Sequence, residues 1–341
     1  MKKYVVAILV ILTLFAFRNN RAENRSAEIR TAVNKSLDIL QTASHVFLKN
    51  SVQLISCHSC HNQGLGVVAF AMARENGYAL RDSIIKEAID STETYWKRYA
   101  NWQTLAENDD PVAIVMSSNY DLWGLSSIGY KGSKIIDLVT RNIMRKQNYD
   151  GSWISPAQRP PLEYYTFSAT ALTVRNIQKY LPAILKDEVA QRIDKARTWM
   201  TQKIPVTNEE RIFQLLGLTW STADKKIIAQ QAKKLLATQH ADGGWSQLAT
   251  LETDAYATGQ SLYALYESGQ LPASDPAFQK GIDFLLQTQQ PDGSWHVKTR
   301  SYSYIPFVDS GFPHEKDQFI SATGSNWATM ALMLSVRNDR K

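Results

Sequence analysis

Cysteine is almost absent. The chain has two in 341 residues, Cys57 and Cys60, too few for a disulfide framework, so a small stapled scaffold is excluded. Concentrated positive charge is absent too. A net charge of +6 is scattered without a basic run, which removes the footprint that nucleic-acid binding needs. Long hydrophobic runs are missing save one, Tyr4 to Phe17, whose 14 residues fall short of the roughly 20 that span a bilayer comfortably. Lys2 and Lys3 precede it and a polar stretch follows, the layout of a secretory signal over residues 1–22. Ala22 is the best small residue for cleavage, and Arg18 and Arg21 would equally suit an uncleaved anchor pointing inward. Either way the expectation is export, to the periplasm or to the periplasmic face of the inner membrane, with peripheral or anchored association. A core helix without a polar face over 14 residues is a poor alternative.

Strand patterns are scarce as well, and repeats stand in their place. "QNYDGSW" (147–153), "QHADGGW" (239–245) and "QQPDGSW" (289–295) share the frame Q-x-x-D-G-x-W. The glutamines at 147, 239 and 289 lie 92 and 50 residues apart, and a worn copy near Gln202 fills the longer gap. Before each copy runs an amphipathic stretch: Phe278, Ile282, Leu285 and Leu286, or Ile228, Ala232, Leu235 and Leu236. After each comes a stretch richer in small residues, such as "DAYATGQSLYALY". Small side chains permit close packing, so the first kind is assigned to outer helices and the second to inner ones. The pairs are 27–50 with 62–76, 82–100 with 110–128, 133–147 with 161–180, 187–202 with 208–221, 225–239 with 254–268, and 275–289 with 317–336. Six pairs predict an all-α fold, a single α6/α6 toroid over residues 27–338.

The repeated heptad has a local task. Asp-Gly is a turn signal, and Gly supplies positive φ after the outer helix. Gln can hydrogen-bond the backbone of the next repeat while Trp packs over the turn. Trp153, Trp245 and Trp295 are therefore expected to be buried scaffold.

The Q-x-x-D-G-x-W frame resembles the repeat of the squalene–hopene and oxidosqualene cyclases, whose α/α barrels are related to protein prenyltransferase β subunits. More narrowly, "CHSCHNQ" together with the segment from Asp292 to Leu332 resembles exported bacterial squalene-cyclase-like proteins that carry a CxxCH motif. The resemblance implies the toroid; its chemistry does not carry over cleanly. Triterpene cyclases use an Asp in D-x-D-D, and this chain has none; the nearest stretch, Glu107-Asn108-Asp109-Asp110, precedes Pro111. Asp110 as helix cap with Pro111 in the first turn explains that stretch without catalysis. D-D-x-x-D is absent, and neither cysteine matches the prenyltransferase zinc site. Glu252 and Asp254, at the start of the fifth inner helix, are a second acidic candidate that capping explains equally well.

Cys57-His58-Ser59-Cys60-His61 takes the place of the heptad in the first pair. Its spacing lets two thiols form thioethers with haem vinyl groups while His61 reaches iron, and export suits a c-type haem. A redox disulfide lacks its usual βαβ setting. A metal site with His58 and His61 would want a further ligand, and the nearest histidine in sequence is His45. The sixth connection, about 20 residues with Tyr302, Tyr304, Phe307 and Phe312, is longer than a turn requires. It also holds His296 and His314; His314 is the first candidate for the other face of the iron and Met116 the second. Two function classes follow: an exported haem protein with a redox partner, or a terpenoid-type enzyme or binding protein that takes a hydrophobic small molecule into the barrel.

Overall fold

The computed structural model describes residues 2–54, 60–97, 114–155, 159–302 and 307–336. Within them twelve α-helices form antiparallel pairs: α1 (Lys2–Leu54) with α2 (Gly66–Glu75), α3 (Asp82–Lys97) with α4 (Ile114–Ser127), α5 (Lys134–Arg145) with α6 (Thr166–Tyr180), α7 (Lys186–Gln202) with α8 (Asn208–Trp220), α9 (Lys225–Leu236) with α10 (Ala255–Glu267), and α11 (Pro276–Thr288) with α12 (Gln318–Ser335). Even-numbered helices are inner and odd-numbered ones outer. Each inner helix packs on the next, and α12 returns to α2 and α1, so the ring closes. No strand forms among the described residues beyond two isolated bridges, Arg159–Glu163 and Trp245–Asp254. The expected α6/α6 toroid is the observed architecture.

Several boundaries depart from expectation, among them the first inner helix, which begins at Gly66 after a π-helical turn over Cys60–Leu65. The first outer helix continues back to Lys2 rather than starting near residue 27. The third inner helix starts at Thr166 rather than at residue 161, because the Arg159–Glu163 bridge holds the preceding chain in a turn. The outer helices before the first two heptads end at Arg145 and Leu236, so Gln147 and Gln239 lie beyond the last turn. Asp110 and Pro111 lie outside the described residues, as does the expected start of the second inner helix. Among the described residues no helix is long and apolar enough to cross a membrane.

The heptads are the joints of the ring. In each, the Trp indole Nε1 donates to a carbonyl ten residues earlier: Trp153 to Ile143, Trp245 to Leu235, Trp295 to Leu285. The three Trp backbone N–H groups donate to Thr170, Thr258 and Ser325 on the paired inner helix. All three rings are buried, at 0%, 0% and 1% exposure. The Gln amide then splits its donors between its own turn and the next outer helix. Gln147 reaches the carbonyls of Gly151 and Arg192, Gln239 those of Gly243 and Ala277. Gln289 reaches Gly293 and Ala32, joining the last outer helix to the first.

Glycine is required in the turn for two reasons. Gly243 has φ +89°, and a Cβ there would lie 2.4 Å from the Lys280 carbonyl oxygen. L-residues avoid that backbone region, and no side-chain adjustment relieves contact with a main-chain oxygen. Inside the ring, Gly259 lets α10 approach α12 so closely that a Cβ would meet the Ala328 nitrogen at 2.5 Å.

Removing one joint should open the ring on that side. Trp245→Ala should cost about 3–5 kcal/mol, the range for a large aromatic lost from a core. Denaturant unfolding monitored by far-UV circular dichroism checks it; an unchanged midpoint would mean that the indole bears no structural load.

Candidate functional site: the barrel axis and its mouth

Inner helices begin at one end of the ring, and two contacts fix their alignment. Asn208, first residue of α8, donates to Ser261 of α10, and Tyr256, near the start of α10, donates to Glu209 near the start of α8. At this mouth two inner helices carry side-chain caps. Thr207 and Glu210 form a reciprocal capping box on α8, and Asp254 accepts from the Ala257 amide on α10.

Below the caps, side chains stack along the axis. Tyr256, Gln260 and Tyr263 follow one another at i, i+4 and i+7 on α10, a single helix face. Glu209 joins the upper layer: its Oε2 accepts from the Tyr256 hydroxyl at 2.9 Å. Deeper lie Trp123 of α4 and Trp327 of α12, with ring centroids 5.7 Å apart and Tyr263 5.3 Å from Trp327. The far end is closed by Arg175 of α6, whose guanidinium lies 5.5 Å from the centre of Trp123 and 5.8 Å from that of Trp220. The chain's own cation thus fills an aromatic box at the barrel floor.

Glu209 is the unusual group. Burial pushes its carboxyl up to about 8, against the opposing pull of Tyr256, Gln260 and Arg300. At neutral pH it therefore keeps its proton. Oε2 accepts from Tyr256, which leaves Oε1 to carry the proton, and the Gln260 amide lies beside the carboxyl. The carbonyl oxygen of Gln260 and the indole nitrogen of Trp327 are buried without a partner. Asp254, the rim acid, is raised to about 6 by burial, but its oxygens accept from the Ala257 amide and from Gln247. Gln247 in turn accepts from Arg300 at 2.8 Å.

Arg300 belongs to the long connection between α11 and α12, which straps the mouth. Ser301 donates to the Pro160 carbonyl in the connection of the third pair, across the ring. On the near side Asn50 of α1 donates to the Asp309 carbonyl. The strap is anchored where it meets α12: His296 Nε2 lies 2.9 Å from Asp317, His314 Nε2 lies 3.0 Å from Ser294, and the two imidazoles stack at 4.6 Å. His314 and Glu315 have φ of 82° and 46°, a left-handed pair at that anchor.

The residues singled out from sequence divide as follows. Asp254 reaches the mouth, as a cap. Glu252 is exposed and does not join the axial cluster. His314 is half-buried in the strap, its Nε2 committed to Ser294, and burial beside His296 holds its pKa below the usual value. Met116 is fully buried on α4. His45 faces Glu87 on the outer surface at 2.8 Å, away from the mouth. Cys57, His58 and Asp110 lie outside the described residues; the backbone of Cys60 and His61 enters a π-helical turn, Cys60–Leu65, that leads into α2. Among the described residues no three His, Cys, Asp or Glu side chains gather as a metal site. Glu209, Tyr256, Gln260, Gln247 and Arg300 are site residues that the sequence reading missed.

Comparison with known proteins agrees with this architecture. Residues 204–341 match the squalene–hopene cyclase C-terminal domain, a stretch that carries Glu209 and the whole of α8 to α12. Among solved structures, the ring is similar to the type II terpene cyclase MstE from Scytonema. A variant with its product, merosterolic acid A, superposes with a TM-score of 0.53 at 12% identity over 92% of this chain and 99% of that one. A second variant, with geranylgeranyl dihydroxybenzoate as substrate, gives the same values. A protein from Actinoplanes has a TM-score of 0.53 at 14% identity over 91% of this chain and 100% of its own. At such identities the likeness establishes the fold.

A carboxyl raised from 4.5 to about 8 makes a signed statement about stability. Between those values the unfolded chain releases the proton and the folded chain keeps it, so this group lowers stability as pH rises through the window and has a level effect above it. Glu209→Gln removes that dependence. Its unfolding midpoint should match wild type near pH 4 and exceed it increasingly toward pH 8; a constant difference across the range would show that Glu209 ionises normally.

Proposed function

We propose that this protein admits a hydrophobic, isoprenoid-like molecule through the strapped mouth and protonates one of its carbon–carbon double bonds with Glu209. The observation that carries the reading is a buried carboxyl at the head of a column of aromatic rings, pushed up to about 8 by that burial. Transfer of that proton to an alkene carbon leaves a carbocation, which the faces of Tyr263, Trp123 and Trp327 stabilise. Attack by a second double bond closes a ring, loss of a proton from carbon to water ends the reaction, and Glu209 regains its proton from solvent. No atoms are gained or lost, so the product is an isomer of the substrate. The Glu209 carboxylate left behind is stabilised by Tyr256, Gln260 and Arg300, the groups that already favour its charged form. Support also comes from the fold shared with the Scytonema cyclase, which was solved with a geranylgeranyl-bearing substrate. Glu209 takes the acid's role in a chain without D-x-D-D.

Incubation in D2O with linear polyprenyl substrates, including squalene and geranylgeranyl dihydroxybenzoate, tests it. The expected product is an isomer that carries one deuterium, and Glu209→Gln should reduce its formation at least 100-fold, the scale of a lost general acid. In wild type the rate should fall as pH rises through about 8. Turnover unaffected by Glu209→Gln would overturn the assignment.

A second reading concerns the CxxCH motif and is independent of the first. It is supported by the motif's spacing and by its place in the connection that leads into α2. Cys57 and Cys60 would carry the thioethers of a c-type haem and His61 would hold its iron, with one-electron chemistry supplied beside the barrel opening. His314 could take the other face only by giving up Ser294. Produced with periplasmic haem-attachment machinery, the protein should stay red after denaturation and acid–acetone extraction and gain the mass of one haem. Colourless, fully matured protein would remove this reading and leave the first intact.

A further inference from the structure

We infer that Gln247 is a positioning residue for the acid: it aligns the Glu209–Tyr256 pair and, through Arg300, seats the strap over it. The inference rests on the reading of Glu209 as the acid and adds the residue that keeps it in working order. Gln247 is buried and joins three separate elements. Its main-chain carbonyl accepts from the Asn208 N–H at 3.3 Å, at the start of α8. Its amide nitrogen donates to Asp254 Oδ2 at 2.8 Å, at the cap of α10. Its amide oxygen accepts from Arg300 Nε at 2.8 Å, from the strap. Glu209 follows Asn208 directly, and Tyr256 lies just beyond Asp254 in the first turn of α10. Both ends of the 2.9 Å Tyr256–Glu209 contact therefore trace back to this one residue.

The chemistry asks for an amide. A guanidinium only donates, and the Asp254 oxygen accepts, so the side chain between them must offer both functions. An ionised glutamate there could only accept, a lysine only donate, and a leucine could do neither. The strap's ends are tied to α12: the Val297 and Thr299 N–H groups donate to Ser321 and Asp317, and Ser310 donates to Gln318. Between those ties, Arg300 on Gln247 and Ser301 on Pro160 carry the chain across the mouth. Arg300 also favours the charged forms of both Glu209 and Asp254. The other groups facing Glu209 are Tyr256 and Gln260 of α10 and Glu210 of its own helix. Seating the strap thus has two opposed effects on Glu209. Exclusion of water holds the proton on, and the Arg300 charge draws it off. Burial is the larger effect, so release of Arg300 from Gln247 lowers the proton affinity of Glu209 instead of raising it.

The titration of Glu209 tests this without any substrate. In the full-length protein, the carbonyl stretch of the protonated carboxyl is the infrared band that Glu209→Gln removes, and it is followed against pH. Wild type should lose the band around pH 8. In Arg300→Met and in Gln247→Leu the midpoint should fall by about one unit, a tenfold loss of proton affinity. Amide hydrogen exchange at residues 300–302 should quicken in the same variants. Arg300→Lys, which keeps the charge and a donor, should return the midpoint toward wild type. A merely structural role would lower the melting temperature and leave the midpoint in place. If Gln247→Leu does not fold, Arg300→Met on the strap carries the test. An unmoved midpoint, or the rise that loss of a cation alone would give, overturns this inference and leaves Glu209 as the acid. Wild type that titrates like an ordinary exposed glutamate overturns the acid assignment itself, and this inference with it.

Discussion

The ring depends on a glutamine that serves two repeats at once. An outer helix has an apolar stripe, but a stripe alone does not say which neighbour to pack against. The Gln amide has two N–H donors, and in each heptad one returns to the glycine carbonyl of its own turn while the other crosses to the next outer helix. Gln289 makes the crossing from Thr288, at the end of the last outer helix, to Ala32 in the first, and the side chains of Arg25 and Asp283 pair across the same seam. Closure is thereby specified by directional contacts as well as by area, and the inner helices are left facing an enclosed axis.

Enclosure has an electrostatic consequence. A carboxyl on an exposed helix start would be an ordinary, ionised partner of the helix dipole. Glu210 has a local task, its side chain accepting from the Val206 and Thr207 amides. Glu209, one residue earlier, is turned about 100° round the helix and lies inside the ring, where desolvation outweighs the same dipole. Two adjacent glutamates thus take opposite roles, a structural cap and a retained acid, through angular position alone.

The same contrast explains what could be read without coordinates. The heptads were legible because their residues act locally: Asp-Gly turns, a Trp over its own helix end, a Gln at fixed spacing. Helix pairing followed from periodicity to within a few residues, except at the first outer helix, which runs back to Lys2, and at Thr166, where a bridge between Arg159 and Glu163 delays the helix. Glu209 was not legible, since "TNEER" opens with a capping box that accounts for an acid three residues after Thr207 and makes its neighbour look like one more surface glutamate. The visible acids, Glu252 and Asp254, drew attention by their place before a helix; that place makes Asp254 a cap with its oxygens occupied. Long-range contacts such as Arg300 to Gln247 to Asp254 leave no local trace at all.

The two ends of the barrel complete the argument. At the floor, Arg175 lies against Trp123 and Trp220 and donates to Ser126, so the aromatic box there already holds its cation and forms a closed base. At the mouth, the closure is a strap held by a few discrete contacts: Ser301 on Pro160, Arg300 on Gln247, and the stacked His296 and His314 at its junction with α12. The strap is also seated by buried Val297, Val308 and Phe312, whereas the floor is closed by packed tryptophans. The mouth is therefore the end that is not sealed by packed tryptophans, and the buried carboxyl of Glu209 lies nearest to it. An acid held protonated by its surroundings works only while water is kept from it, and the strap is the element whose position decides that.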